Sequence, residues 1–276
     1  MKFSLLLLLL FSLPTFAFVK YESNQIDSSE FSLNERLFNN TIKEFQVFYN
    51  TVLGTLVHSS LTVEGNWQNN TINASANQLS PKQFIIKVNG GLFKNKFMGV
   101  SELVLVLCHE LGHILGGPPF LNRSYFSSEG QADYYATAKC MKRYFDHINV
   151  TKGSSSKENN LEANQFCQSL FIDEKKIKMC NFTLSASLNS AYLFNQLDKG
   201  KDKPSLYKVS SSTAHRTVLT GSPAQCRLDS FKAGFLCDKD RLLPVFNHQL
   251  QYYNLCHGQN SFPFQQRPAC WFNPVR

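Results

Sequence analysis

Several features that would define other classes of protein are scarce or absent in this chain of 276 residues. Charged residues make up only 17% of it, against 43% hydrophobic residues, which excludes a disordered tail and provides material for a core. No Cys-x-x-Cys pair occurs, which argues against a zinc ribbon and against a thioredoxin-type redox motif. There is no internal repeat. The length allows one medium domain or two small ones, and a single domain is the economical interpretation.

The charge balance is basic, with a formal net charge of +8. The Lys and Arg residues are scattered, and the clusters at 175–178 and 199–203 are short. A surface for nucleic acid would show a stripe of basic residues with aromatic residues between them. We therefore expect a solvated basic surface and no nucleic-acid partner.

Residues 1–17 have the pattern of a secretory signal peptide. Lys2 precedes an apolar run over 3–13, and the small residue Ala17 closes the segment. Cleavage after Ala17 would leave residues 18–276 as a mature domain that is secreted or periplasmic. We expect no membrane span in it, because no later apolar stretch is long enough. The alternative is that the segment is kept as an anchor.

Eight cysteines follow this segment, and an even number behind a signal peptide predicts disulfides made in an oxidising compartment. Half of them lie in the last quarter of the chain, so we expect disulfides to staple the C-terminal part. The sequence does not determine the pairing. Pairs of sequence neighbours, Cys226 with Cys237 and Cys256 with Cys270, are the hypothesis we prefer.

Hydrophobic periodicity favours an α+β fold that is mostly helical and has a small β-sheet. The β-prone pieces lie at 60–63 and 83–88 and are separated by an Asn-rich stretch. The residues around 150–160 are polar and Ser-rich, which predicts a loop. Helices are predicted at 33–57, 101–115, 128–145, 161–172 and 184–197, and another from the Ser-Pro pair at 222–223.

The segment Cys108-His109-Glu110-Leu111-Gly112-His113 contains the HExxH pattern on a predicted helix. Residues four apart lie on one face of a helix, so His109 and His113 can reach the same metal ion. Glu110 lies beside that face and can take a proton from a water on the metal. Zinc accepts imidazole and carboxylate ligands and keeps an open position in catalytic sites, so we predict Zn²⁺ as the cofactor.

A second element, Glu129-Gly130-Gln131-Ala132-Asp133, begins the next predicted helix. Glu129 can supply the third metal ligand. Asp133 lies one turn further on the same face and can accept the free ring N–H of a bound histidine, most readily His109, which fixes the tautomer of the ring. The alternatives are a pair of core histidines and an acidic helix start that favours the helix dipole.

One other zinc pattern can be excluded. Metzincins extend the motif to HExxHxxGxxH. Gly116 is in place here, but Pro119 stands where the third histidine would be. This departure leaves Glu129 as the candidate ligand.

In these motifs the chain resembles the HtpX and CAAX-prenyl-protease family of gluzincin zinc peptidases, particularly its soluble, secreted bacterial members. The resemblance spans roughly residues 60–140. It rests on Asn73-Ala74-Ser75-Ala76, the segment 84–92, Glu102-Leu103, the His109 motif, and Glu129 with Asp133.

The resemblance implies an edge strand beside the cleft, which holds a polypeptide substrate in an extended conformation by main-chain pairing. Residues 84–88 would be that strand, and the alternative is a plain core strand. Its members are Phe84, Ile85, Ile86, Lys87 and Val88.

The resemblance also implies a His-Pro pair with an arginine four residues after the proline. Here Ser222-Pro223 and Arg227 keep the proline and the arginine but replace the histidine. His215 could take its place in space. His215 and Arg227 are therefore candidate catalytic residues near the oxyanion, and a structural salt bridge is the alternative for Arg227.

These observations together predict a zinc metalloendopeptidase, a hydrolase that cleaves peptide bonds with a metal-activated water and Glu110 as the base. The alternative is a catalytically weak family member that acts as an envelope chaperone or binding protein. A disulfide-rich structural protein with a chance HExxH is a further alternative, against which the Glu129–Asp133 element counts.

Overall fold

The computed structural model describes residues 28–121, 125–152, 160–239, 255–256 and 261–273. The predicted signal peptide at 1–17 lies outside these ranges. The described helices are α1 (Ser28–Val57), α2 (Gly90–Phe93), α3 (Val100–Leu115), α4 (Glu129–Tyr135), α5 (Met141–Lys152), α6 (Leu161–Leu170), α7 (Glu174–Leu197) and α8 (Ala224–Leu236). The strands are β1 (Ser60–Asn66), β2 (Ala74–Ser80) and β3 (Gln83–Asn89). The mostly helical α+β class is confirmed.

The three strands form one mixed sheet in the order β1-β3-β2. β1 runs parallel to β3, and β2 runs antiparallel to it. β2 was not predicted, because its sequence ASANQLS lacks the β-branched and aromatic residues that favour strands. Its Ala and Ser residues are small enough to be buried against the helical layer.

The prediction that residues 84–88 form an edge strand is wrong. These residues belong to β3, which has a partner on each side and therefore no open row of backbone groups. Ile85, Ile86 and Val88 are buried, and exposed Lys87 lies 3.6 Å from Glu64 of β1. The edge strands of the sheet are β1 and β2.

Helix α1 covers the outer edge of β1. The side chain of Gln46 accepts a hydrogen bond from the backbone N–H of Val63 at 2.6 Å. The side chain of Asn50 accepts from the N–H of Leu61 at 2.7 Å and donates to its carbonyl at 2.8 Å. These side chains bond to the backbone of β1, and among the described residues no strand pairs with the outer edge of β2.

Helix α3 runs through the core. All five residues from Leu103 to Leu107 are buried, so the helix is apolar on every side in this stretch. It begins at Val100, one residue before the predicted start, since the side chain of Glu102 accepts the N–H of Gly99 and caps the helix. It ends at Leu115, before the Gly-Gly-Pro-Pro run, as predicted.

The helix predicted over 128–145 is continuous but contains one π-helical turn, Ala136–Cys140, between α4 and α5. It continues to Lys152, into the predicted loop, and residues 153–159 lie outside the described ranges. Helix α7 begins ten residues before its predicted start because Asp173 caps it there, accepting the N–H of Lys176. Among the described residues, no helix has the length and apolar character needed to cross a membrane.

All eight cysteines are paired in the structure. The bonds are Cys108–Cys140, Cys167–Cys180, Cys226–Cys270 and Cys237–Cys256. The preferred hypothesis of neighbouring pairs in the C-terminal part is therefore wrong. Cys226 lies in the first turn of α8 and Cys237 just beyond its end. The ten residues of helix between them place their Cα atoms about 16 Å apart, too far for a disulfide.

Candidate metal centre

Two imidazoles and a carboxylate meet between α3 and α4. His109 and His113 are one turn apart on α3, and Glu129 is the first residue of α4. The carboxylate of Glu129 lies 3.3 Å from Nε2 of His109 and 3.5 Å from Nε2 of His113. One ligand atom from each of the three residues falls within 4.8 Å of the others, so the group could hold a metal ion.

The donor set fits a zinc ion. Zinc in catalytic sites is bound by His nitrogens and a carboxylate oxygen, with one position left open. His109 and His113 are 1% and 2% exposed, so both imidazoles are buried. The side chain of Glu129 is 20% exposed, which leaves one side of the site accessible.

Each histidine is oriented through its second ring nitrogen. Nδ1 of His109 lies 2.7 Å from Oδ1 of Asp133, the contact expected from the sequence. Nδ1 of His113 lies 2.8 Å from the backbone carbonyl of Ser127. An N–H at Nδ1 donated to these oxygens leaves Nε2 of each ring with a lone pair for a metal.

The loop before α4 is fastened to α3 by its backbone. The N–H of Ser127 donates to the carbonyl of His113 at 2.8 Å, and the N–H of Ser128 donates to Pro119 at 2.8 Å. The N–H of Glu129 donates to the carbonyl of Leu219 at 3.1 Å. These bonds fix where α4 starts and therefore where the carboxylate of Glu129 lies.

Arg227, on α8, is directed at Asp133. Its Nε and Nη2 donate to the two carboxylate oxygens at 2.8 and 2.7 Å, and Nη2 also lies 3.9 Å from Glu129. The guanidinium stacks on the ring of Phe194 at 4.0 Å. Arg227 thus forms the salt bridge considered as its alternative role, and its donors hold Asp133. A role of Arg227 at the oxyanion stays a prediction.

His215 is not brought into the cluster. Its side chain is exposed, and its backbone carbonyl accepts a hydrogen bond from Asn273 at 3.0 Å. The neighbouring Ala214 pairs by its N–H with the carbonyl of Ala269. The structure therefore gives no support to a catalytic role for His215.

Glu110 is buried beside the cluster and faces the sheet. It is 1% exposed, and it accepts the backbone N–H of Ala76 in β2. Among the described residues its Oε2 atom has no hydrogen-bond partner. Burial raises the pKa of Glu110 to about 8, against an ordinary value of 4.5. An inward-facing carboxyl group with an unpartnered oxygen and a pKa near neutrality has the properties of a general base.

The carboxylates set the charge of the metal-free cluster. Burial opposes a charge on His109, but Asp133 and Glu129 outweigh it and raise the pKa of His109 to about 9. Burial lowers the pKa of His113. Burial opposes ionisation of Glu129 as well, but the two histidines and Arg227 hold the pKa of its carboxyl group far below its ordinary value. A cation that binds here therefore displaces a proton from His109.

Two participants were missed by the sequence analysis. The carbonyl of Ser127 orients His113, but every residue has a backbone carbonyl, so no pattern singles it out. Ala76 contacts Glu110 across the fold, and its segment Asn73-Ala74-Ser75-Ala76 was noticed only as part of the resemblance. Recognising that segment as a strand would have placed the sheet edge at the site.

Comparison with known proteins finds no match to this chain among protein-family models, curated proteins or solved structures. By its fold and its site, the protein is a mostly helical α+β protein with a His-His-Glu cluster that could hold a metal ion. Any assignment of chemistry to the cluster rests on its own geometry.

Proposed function

We propose that the protein is a zinc-dependent endopeptidase of the gluzincin type, related to the HtpX and CAAX-prenyl-protease family. The observation that carries the proposal is the cluster of His109, His113 and Glu129 with Glu110 buried beside it. A His-His-Glu set is one of the ligand combinations of catalytic zinc. The contacts of Asp133 and Ser127 to the two rings are the outer bonds that such sites use.

The reaction proposed is hydrolysis of a peptide bond by water. When bound, Zn²⁺ polarises the scissile carbonyl and acidifies the attacking water. Glu110 takes a proton from that water as the new bond to the carbonyl carbon forms. Its Oε2 atom, which has no hydrogen-bond partner among the described residues, receives the proton. Glu110 returns the proton to the leaving amine as the C–N bond breaks. No covalent intermediate with the enzyme is formed.

We propose β2 as the strand that holds the substrate. The N–H of Ala76 points away from β3, to Glu110, and backbone groups alternate along a strand, so Ala74 and Gln78 also direct theirs outward. The carbonyl of Asn73 accepts from Asn89, which agrees with this alternation. An extended polypeptide added beside β2 would lie next to Glu110 and the cluster.

We further propose that the protein acts in a secreted or periplasmic setting. The four disulfides are typical of an oxidising compartment. The signal-peptide pattern at residues 1–17 points to the same destination.

Digestion of an unfolded protein mixture by the purified protein tests the proposal. We expect cleavage that a chelator abolishes and added Zn²⁺ restores. Glu110→Gln should bind as much zinc as the wild type and cleave nothing, since the amide keeps the shape but cannot accept the proton. Zinc binding without cleavage by the wild type would favour the chaperone or binding role. Cleavage by Glu110→Gln at the wild-type rate would refute the mechanism.

A further inference from the structure

The Cys108–Cys140 disulfide lies at the proposed metal site. Cys108 directly precedes His109 on α3, and Cys140 ends the π-helical turn that continues α4. α4 carries Glu129 and Asp133. The bond thus joins α3, which carries two of the proposed ligands, to the helix that continues α4. That helix carries the third ligand and the carboxylate that orients His109. Both cysteines are buried, at 0% and 1% exposure.

A second contact fixes the same two helices on the other side of His109. Gly112 packs on the backbone of Ala132, and a Cβ atom on Gly112 would lie 2.7 Å from the Ala132 carbonyl oxygen. The helices therefore touch by backbone three residues after His109 and are covalently joined one residue before it. Between these two points the distance from His109 to Asp133 has little freedom.

The turn that carries Cys140 is itself held in place. A π turn has an extra residue, which rotates the residues after it around the helix axis. The carbonyl of Cys140 accepts the hydroxyl of Tyr49 at 2.8 Å, and Thr137 donates to the carbonyl of Phe231 at 2.7 Å. Bonds from α1 and α8 thus stabilise the turn that directs Cys140 towards α3.

We infer that the Cys108–Cys140 disulfide is a positioning element of the metal centre: it sets the spacing of α3 and α4 at His109 and thereby the affinity for the metal. The inference rests on the proposed function, because it takes His109, His113 and Glu129 as the ligands. It couples assembly of the site to an oxidising compartment, since the reduced protein would bind the metal more weakly.

The chain contains a matched control. Cys167–Cys180 joins α6 to α7, and both of its residues are fully buried. It packs in a separate hydrophobic cluster with Leu184 and Leu188, and neither of its helices carries a ligand. Removing it takes away a buried crosslink of the same kind without touching the helix pair at the site.

The test measures zinc affinity by chelator competition in the wild type, Cys108→Ala/Cys140→Ala and Cys167→Ala/Cys180→Ala, below the melting temperature of each. We expect Cys108→Ala/Cys140→Ala to lose about tenfold or more in affinity, the scale of other groups that orient ligands. The control pair should lower the melting temperature and keep the wild-type affinity. Equal affinity in all three proteins, or an equal loss in both variants, would overturn the inference.

Failure of a variant to fold and failure of the wild type to bind zinc lead to different conclusions. If the alanine pair does not fold, Cys108→Val/Cys140→Ala, which refills the lost volume, replaces it. If that variant also fails to fold while the control pair folds, the bond is required for the fold as a whole and the inference is overturned. Absence of zinc binding by the wild type would instead refute the proposed function, so the two failures are distinguishable.

Discussion

Arg227 holds Asp133 with two parallel hydrogen bonds, Nε to Oδ2 at 2.8 Å and Nη2 to Oδ1 at 2.7 Å. The same Oδ1 atom lies 2.7 Å from Nδ1 of His109. Burial opposes the ionised form of Asp133, but Arg227 and then His109 outweigh it and keep the pKa of Asp133 below its ordinary value. A chain of three side chains thus leads from α8 to the ring that we propose as a metal ligand.

The contacts from Arg227 through Asp133 to His109 predict that Arg227 influences the affinity for the metal. Arg227→Met removes the cation that binds both oxygens of buried Asp133, and breaking a buried ion pair typically costs about 3–5 kcal/mol of stability. Arg227→Lys keeps the charge but cannot bind both oxygens in the same fork. We expect zinc affinity to fall from wild type to Lys to Met. If the affinity is unchanged and only kcat falls, Arg227 acts on the substrate and not on Asp133.

The third ligand is tested by comparing two carboxylates. Glu129→Ala should abolish stable zinc binding, because it removes one of three protein ligands. Asp133→Ala should weaken binding by roughly 10–100-fold, as for other groups that orient a ligand. Zinc retained against a chelator series measures both. A larger loss in Asp133→Ala than in Glu129→Ala would exchange the two roles.

Glu110 gives a prediction about pH in the metal-free protein. Its pKa is about 8 in the folded state and near the ordinary 4.5 when unfolded, so the folded protein binds the proton more tightly. The contribution of this group to the free energy of unfolding is therefore fully present below pH 4.5. It is lost progressively as the pH rises to about 8. At pH 7 the loss amounts to about 3 kcal/mol.

Glu110→Gln removes that titration. Denaturant unfolding of chelator-treated proteins should show the variant more stable than the wild type at pH 8 and equal to it at pH 4. A difference that does not change between these two pH values would show that folding does not raise the pKa of Glu110.

Close packing at Gly112 is tested by a pair of glycine substitutions. Gly112→Ala forces a methyl group against the Ala132 backbone, an overpacking that typically costs about 1–3 kcal/mol, and should lower zinc affinity as well. Gly54→Ala, in α1, meets nothing within 4 Å and should stabilise by about 1 kcal/mol. Thermal melts with and without zinc measure both. A neutral Gly112→Ala would mean that the two helices can separate freely.

The proposed role of β2 is tested with proline, which removes one backbone N–H. Gln78→Pro takes away an outward N–H and should lower kcat/KM for an unfolded substrate by about tenfold, the value of one hydrogen bond, with zinc binding unchanged. Asn77→Pro removes an N–H directed at β3 and should instead lower the melting temperature. Wild-type kcat/KM in Gln78→Pro would place the substrate elsewhere.

Much of the candidate site could be predicted from the sequence because its parts are local. His109 and His113 share a face since they are one turn apart on a single helix, and Glu129 and Asp133 do so on the next. The apolar periodicity that predicts these helices depends only on neighbours along the chain. The even cysteine count behind a signal-peptide pattern predicted disulfides because exported thiols meet an oxidising compartment, whatever the fold.

Only the tertiary structure decided which distant segments meet. Arg227 reaches Asp133 across 94 residues, and the N–H of Ala76 reaches Glu110 from a strand with weak local preference. The pairing of Cys226 and of Cys237 depends on where the two ends of α8 lie. β3 is the central strand because both other strands pair with it. Helix spacing is fixed by the backbone itself, whereas these contacts depend on how whole elements pack. The sequence therefore predicted the candidate ligands and Asp133, which orients His109, whereas packing decided that Arg227, the Ser127 carbonyl and Ala76 surround them.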